Sequence, residues 1–307
     1  MSATTSKLEV VVIVGAGTVG FAKGRALLER GHQVSFVDAS SARCDELTSQ
    51  GFSCEESVTL SAESSLIFVC VPTPASVGGY DFAQLRQSLE RLGHQLSTSD
   101  ARHVVAVCST MAPMTTTTVV IPTLEEYSGG REGHHFDVAL VPEFIRGPHA
   151  LEDSRAPWMT VIAARDDAVR SRLVALLEPY GGEMRITGDL IAAELIKVTH
   201  NAYNAAKISF FNEMFRLAAS TNVDGHFVAE VVSRSAEGSI NTRYGIRGGS
   251  PFRGACLPKD LEGLIAFARA VDVDVPVLEA TREVNESFGT EKSAPSASHH
   301  DETNPSN

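Results

Sequence analysis

Short runs of aliphatic and β-branched residues recur through the first part of the chain, at 8–14, 33–37, 66–71, 103–108, 137–141 and 158–163. Each is followed by a stretch with apolar positions at helical spacing. Runs this short with few polar positions predict strands buried on both faces, and their alternation with helices predicts repeated βαβ units. The expected fold class is α/β, a doubly wound parallel sheet. From residue 189 the period changes. Leu190, Ala193, Leu195, Ile196, Val198, Tyr203, Ile208, Phe211, Met214 and Leu217 recur at helical spacing, with no Gly or Pro before Gly225. This predicts one helix of about 30 residues, roughly 45 Å long. A small domain cannot cover so long a helix, which is expected to be a spine and to carry a homodimer through 189–221. Shorter helices are expected at 226–235, 259–271 and 277–287. The chain then divides into a sheet domain (1–188), an all-helical domain (189–288) and a polar tail (289–307) with little to bury, expected to be disordered.

Composition narrows the partners. With 307 residues, 43% of them hydrophobic, two ordered domains are expected. Lys and Arg number 26 against 38 Asp and Glu, and the net charge of −12 argues against nucleic acid or an anionic membrane surface. No apolar run approaches the roughly 18 residues of a membrane span. The polar N-terminus lacks the apolar core of a signal peptide, so the expected location is cytoplasmic. Five widely spaced cysteines without a Cys-x-x-Cys pair indicate neither a disulfide framework nor a zinc site. Four are expected to pack as small hydrophobes. The histidine pairs His134-His135 and His299-His300 lack ligand spacing, and no metal is expected.

The chemistry begins at the end of the first strand, where Gly15-Ala16-Gly17-Thr18-Val19-Gly20 runs into a helical stretch. In this context Gly15 permits a tight turn, Gly17 lets the backbone approach a pyrophosphate, and Gly20 allows close helix packing. The helix N-terminus adds N–H donors. The second strand ends at Asp38, whose carboxylate suits ribose hydroxyls and repels a 2'-phosphate, so NAD is favoured over NADP. The sheet is thus of Rossmann type, and Gly15, Gly17, Thr18, Val19, Gly20 and Asp38 are its cofactor-binding candidates. Pro72-Thr73 and Ser109-Thr110 follow the third and fourth strands, where ligands of such sheets bind; as sequence alone, either segment is equally a turn.

Within the long helix Glu194, Lys197, Asn201 and Asn204 fall on one face. Spacing alone favours a solvated stripe. Cys256 precedes Leu257-Pro258-Lys259-Asp260, which opens a helix, and a cysteine there can be stabilised as a thiolate. Most free cysteines serve packing, so that reading stays open beside the nucleophile.

Together the glycine fingerprint with Asp38, Val71-Pro72-Thr73-Pro74, Ser109-Thr110, Pro142-Glu143-Phe144-Ile145-Arg146, Glu194-x-x-Lys197-x-x-x-Asn201, Asn212-Glu213 and Cys256-Leu257-Pro258-Lys259-Asp260 resemble the UDP-glucose/GDP-mannose dehydrogenase family. The resemblance runs to about Phe288. It implies oxidation of the C6 alcohol of a nucleotide sugar to a carboxylate with two NAD+, through a cysteine-bound thiohemiacetal and thioester. It also implies roles: Cys256 as nucleophile, Lys197 and Asn201 stabilising the oxygen anion, Asp260 and Thr110 placing or activating water, and Glu143 as acid/base on the thioester. Chemistry supports such roles, since a cation beside the oxygen eases hydride loss and a covalent adduct retains the aldehyde.

The chain departs from the family pattern in four places, one of them the stretch from Arg243, matching the family's Arg-Ile-Gly motif, to Cys256, which is a few residues short. Gly147-Pro148 stands where a second Glu usually follows Arg146, Arg253 replaces a glycine before the cysteine, and the third domain of full-length members is not expected here. Two other readings follow. One is a two-electron alcohol dehydrogenase of the hydroxyacid type, which uses a helical Lys-x-x-x-Asn pair and no cysteine; the other is a non-catalytic NAD-binding partner subunit.

Overall fold

The computed structural model describes residues 8–246 and 248–290. The tail expected beyond 288 therefore lies outside the described residues from 291 on. Ten strands are assigned among the described residues: β1 (Val10–Val14), β2 (Gln33–Val37), β3 (Cys54–Glu55), β4 (Leu66–Val69), β5 (Ala75–Ser76), β6 (Gly79–Tyr80), β7 (His103–Val107), β8 (Phe136–Leu140), β9 (Met159–Ala164) and β10 (Glu183–Thr187). The helices that bear on the site are α1 (Thr18–Glu29), α2 (Ser41–Ser49), α3 (Ala83–Leu96), α4 (Ile121–Ser128), α5 (Ala150–Arg155), α6 (Asp167–Leu177) and α7 (Leu190–Ser220). After them come α8 (Gly225–Ser235), α9 (Glu237–Ile240), α10 (Leu257–Ala270) and α11 (Pro276–Thr290).

Eight strands form one sheet in the order β10-β9-β8-β7-β4-β1-β2-β3, and β5 and β6 make a separate hairpin. The order reverses direction between β1 and β4, the crevice where α/β sheets bind ligands. All pairings in the large sheet are parallel except β8 with β9. The doubly wound parallel sheet expected from the pattern is thus present, with this one antiparallel pairing in it. The β8–β9 connection holds no helix longer than α5, six residues rising about 9 Å, too short to carry the chain back along a five-residue strand. Two edge strands also escape the pattern. β3 has two residues, and β10 is an exposed alternation carrying Glu183 and Arg185.

Side chains alternate between the two faces of the sheet, as strand geometry requires. Val12, Ile67, Val105 and Val138 join one core with Leu85 and Leu89 of α3 and Leu124 of α4. Ile13, Phe36 and Phe68 join the other with Leu27 of α1 and Leu173 of α6.

The long helix occurs as expected, with 31 residues. Asp189 caps it, its Oδ1 accepting from the amides of Ile191 (2.9 Å) and Ala192 (3.2 Å). The chain divides into two compact units within this helix, at Asn201/Ala202. In the first, Leu190 and Ala193 are buried in the sheet core. In the second, Leu217 packs with Ile265 and Ala268 of α10 and with Val275 and Leu278. Glu213, 2% exposed, accepts from the amides of Val277 and Leu278 and so caps α11. No helix among the described residues is long and apolar enough to cross a membrane.

Candidate active site

The glycine-rich turn joins β1 to α1 as the sequence implies. Gly15 has φ +93°, and a Cβ there would lie 2.8 Å from the Cys70 carbonyl oxygen. At Gly20 a Cβ would fall 1.9 Å from the Gly15 carbonyl oxygen, so no other residue allows this turn to close on its helix. Gly17 is different: open space surrounds its absent side chain, which leaves the first-turn amides of α1 approachable. Asp38 closes the turn from β2. Its Oδ2 accepts from the Ala16 amide (2.8 Å) and its Oδ1 from the Ser40 amide (3.0 Å). A carboxylate has about four acceptor sites, so two bonds leave capacity for ribose hydroxyls.

A cleft of about 450 Å³ opens above this turn, lined by Gly15, Gly17, Thr18, Val19, Asp38, Pro72, Thr73, Ser109, Thr110, Glu143 and Lys197, among others. The structure thus brings together nine of the ten cofactor candidates and three of the catalytic ones; Gly20 lies beneath the turn. Two hydroxyls stitch the strand ends into one rim. Thr73 Oγ1 donates to the Thr110 carbonyl (2.6 Å) and Ser109 Oγ to the Val71 carbonyl (2.7 Å). Both segments are turns and lining at once. The residues fit a dinucleotide: glycine backbone without side-chain cover, a helix N-terminus, and an acid at the end of the second strand.

Lys197 reaches the cleft from α7. Its Nζ donates to Asn201 Oδ1 at 3.2 Å and sits 5.3 Å from the centre of the Phe144 ring. Burial pushes its ammonium below the usual lysine range, with Glu143 opposing that shift. The polar stripe on α7 is therefore not simply a solvated face. Glu194 in particular is 4% exposed, and its carboxylate accepts from the amides of Met114 and Thr116 and from the Thr116 hydroxyl, each at 2.6 Å. These bonds anchor α7 to the segment after β7 and set Lys197 one turn farther along. The sequence signal for this was the match of Glu194 to Lys197 at helical spacing.

Glu143 lies at the back of the cleft, where Lys23 of α1 meets it at 2.6 Å. Sequence reasoning missed Lys23; the available signal was a lysine on the face of α1 that also carries Gly20 and Leu27. Arg146 is held by Asp153 through three contacts and lies over Trp158. Gly147, where the family pattern has a second acid, has nothing within 4 Å of an added Cβ, so space does not demand glycine.

The second unit carries Cys256 and Asp260. Cys256 is the N-cap residue of α10, and its carbonyl accepts the Asp260 amide at 2.9 Å, placing the two a turn apart. Cys256 is the exposed one among the five cysteines. Burial, followed by the neighbouring Cys70 thiol, raises the Cys108 thiol; burial and Cys44 push Cys54 up to about 12. These two are poor nucleophiles.

Residues 52–180 match the NAD binding domain of the UDP-glucose/GDP-mannose dehydrogenase family, and residues 191–287 match its central domain. The GDP-mannose 6-dehydrogenase of Pseudomonas syringae pv. tomato is 34% identical over 299 residues, covering 90% of this chain and 68% of that protein. A UDP-glucose 6-dehydrogenase of Haloferax volcanii is 31% identical over 73% of this chain and 53% of its own length. The crystal structure of a ternary complex of GDP-mannose dehydrogenase from Pseudomonas aeruginosa superposes with a TM-score of 0.83 at 32% identity, over 91% of this chain and 68% of that one.

Proposed function

The chain belongs to the UDP-glucose/GDP-mannose dehydrogenase family of NAD-dependent oxidoreductases acting on CH–OH, and from that premise we propose that it oxidises the primary alcohol of a nucleotide sugar to the carboxylate. The observation that carries the proposal is the cleft that unites the dinucleotide turn with Lys197, Thr110 and Glu143. NAD, when bound, accepts the hydride. The protein's own groups do the rest. Lys197, with Asn201, stabilises negative charge on the substrate oxygen as hydride leaves its carbon. The Cys256 thiolate adds to the aldehyde to form a thiohemiacetal, which loses a second hydride to become a thioester. Water attacks the thioester carbonyl, with placing or activating it the role that the family resemblance gives Thr110 and Asp260; Glu143 takes the proton, and the Cys256 sulfur departs. The balance is one alcohol, one water and two NAD+ giving one carboxylate, two NADH and three protons.

In this reading residues 1–188 bind NAD and 189–288 supply the cysteine and a homodimer contact. Support for the contact is the exposure of Tyr203, Ile208, Phe227 and Ile240, each at least 60% accessible in the single chain. The test is NADH production from GDP-mannose, UDP-glucose, other nucleotide sugars and simpler phosphorylated alcohols. Two NADH per product is expected, with turnover abolished in Cys256→Ala and NAD binding retained. One NADH per product, with Cys256→Ala at the wild-type rate, would replace this reading with the two-electron one.

A further inference from the structure

The buried face of α1 consists of Gly20, Ala22, Gly24, Ala26 and Leu27, with one exception: Lys23, which is 7% exposed. An ammonium in such a place is costly unless an anion meets it. Lys23 is not part of the cofactor cleft. It lines a second, smaller cavity of about 40 Å³ behind it, and Glu143 borders both. Glu143 therefore stands between two lysines, Lys23 behind and Lys197 in the cleft. It meets Lys23 at 2.6 Å, and among the described residues no other Lys or Arg nitrogen lies within 4.0 Å of its carboxylate.

We propose that Lys23 is a positioning residue that takes Glu143 as its ion-pair partner and thereby leaves the Lys197 ammonium to Asn201 and the substrate oxygen. The physical reason is charge counting. One carboxylate between two ammonium groups leaves a net positive charge, and the pairing decides where it is expressed. With Glu143 drawn to Lys23, that charge is at Lys197, where a developing oxyanion needs it. Without Lys23, Glu143 would neutralise Lys197.

The charge on Lys23 is consistent with this role. Burial disfavours its protonated form, yet Glu143, the foremost of the groups opposing that effect, helps hold it above the usual lysine range. The groups that face Lys197 are Glu143 and the Phe144 ring from the segment after β8, and His200 and Asn201 on its own helix. Glu194, on that helix also, has its carboxylate committed to Met114 and Thr116. Glu143 is thus the anion whose placement Lys23 controls. The service to catalysis rests on the role given to Lys197 above; the competition for Glu143 does not.

Competitive acetylation with acetic anhydride across pH, read by peptide mass spectrometry on the cofactor-free protein, reports the protonation of Lys197 without any substrate. In Lys23→Met the midpoint for Lys197 is expected to rise by about one pH unit or more, because Glu143 turns to it. In Lys23→Met/Glu143→Gln it should return to within about half a unit of wild type, since no carboxylate remains to be captured. An unchanged midpoint in Lys23→Met overturns the proposal. If that variant does not fold, Glu143→Gln alone decides: a small downward shift supports the proposal, whereas a fall of about one unit or more shows that Glu143 was already the partner of Lys197 and overturns it. On a substrate found by the NADH screen, Lys23→Met should lower kcat at least ~10-fold with KM for NAD unchanged. A kcat within twofold of wild type would remove the catalytic service while the labelling still judged the clamp.

Discussion

The two compact units solve the burial problem differently. In the sheet unit Ile13, Ile67, Phe68, Val105 and Val138 are completely enclosed, because helices cover both faces of the strands. The helical unit has one small core around Leu217, Ile265, Ala268, Val275 and Leu278, and none of the residues of α8 is buried. Phe227 on that helix is 63% exposed and Ile208 on α7 is 62%. The sheet unit is covered by its own chain, whereas the helical unit leaves large apolar side chains exposed; in the function proposed above a second copy covers them. The contrast also separates the chemistry: the lysines and Glu143 lie in the rigidly packed unit, and Cys256 lies at an exposed helix start in the other.

Phenylalanines measure this contrast most strongly. Phe68→Ala should destabilise the protein by about 3–5 kcal/mol in denaturant unfolding, since it empties a closed core. Phe227→Ala should cost under about 1 kcal/mol, as surface changes do, but should shift sedimentation from dimer towards monomer. Equal costs in unfolding would mean that α8 is already covered and would break the comparison.

Glycines give a second, smaller contrast. Gly20→Ala forces a Cβ against the Gly15 carbonyl and should cost about 1–3 kcal/mol and weaken NAD binding. Gly263 on α10 has nothing within 4 Å of an added Cβ, so Gly263→Ala should stabilise by up to about 1 kcal/mol. Thermal unfolding of both proteins, with NAD titration of Gly20→Ala, checks the pair.

The smallest effect concerns acid. The Arg146 side chain and amide bonding to Asp153 hold its carboxyl down at about 2. A depressed carboxyl contributes stability above its unfolded value near 3.8 and loses it as pH falls towards 2. Asp153→Asn should therefore lower the melting temperature at pH 6 and converge with wild type near pH 2. A difference that persists unchanged in acid would show that the pair owes its effect to packing.

The strands Val10–Val14 and Leu66–Val69 and the 31-residue helix were legible because each is set by a local rule: a fully apolar run, or an unbroken 3.6-residue period. The dinucleotide turn was legible because its glycines answer steric demands within a few residues. The edge strand Glu183–Thr187 was not, since an exposed strand carries charges and needs only one neighbour. Nor was the reversal of β9, which depends on how far a six-residue helix can carry the chain.

At the site, sequence alone determined the residue types: a glycine turn ending in an acid on the next strand, a Lys and Asn one helical turn apart, and a cysteine before a helix. Tertiary structure decided which charges meet. Glu194 lies on the same face of α7 as Lys197, yet it is turned to the backbone at Met114 and Thr116, 80 and 78 residues away in sequence. Glu143 lies in the segment after β8 and Lys23 on α1, and the two become partners only when the chain has folded. Ion pairing between distant segments follows from the packing of their elements, and a one-dimensional pattern contains no term for that.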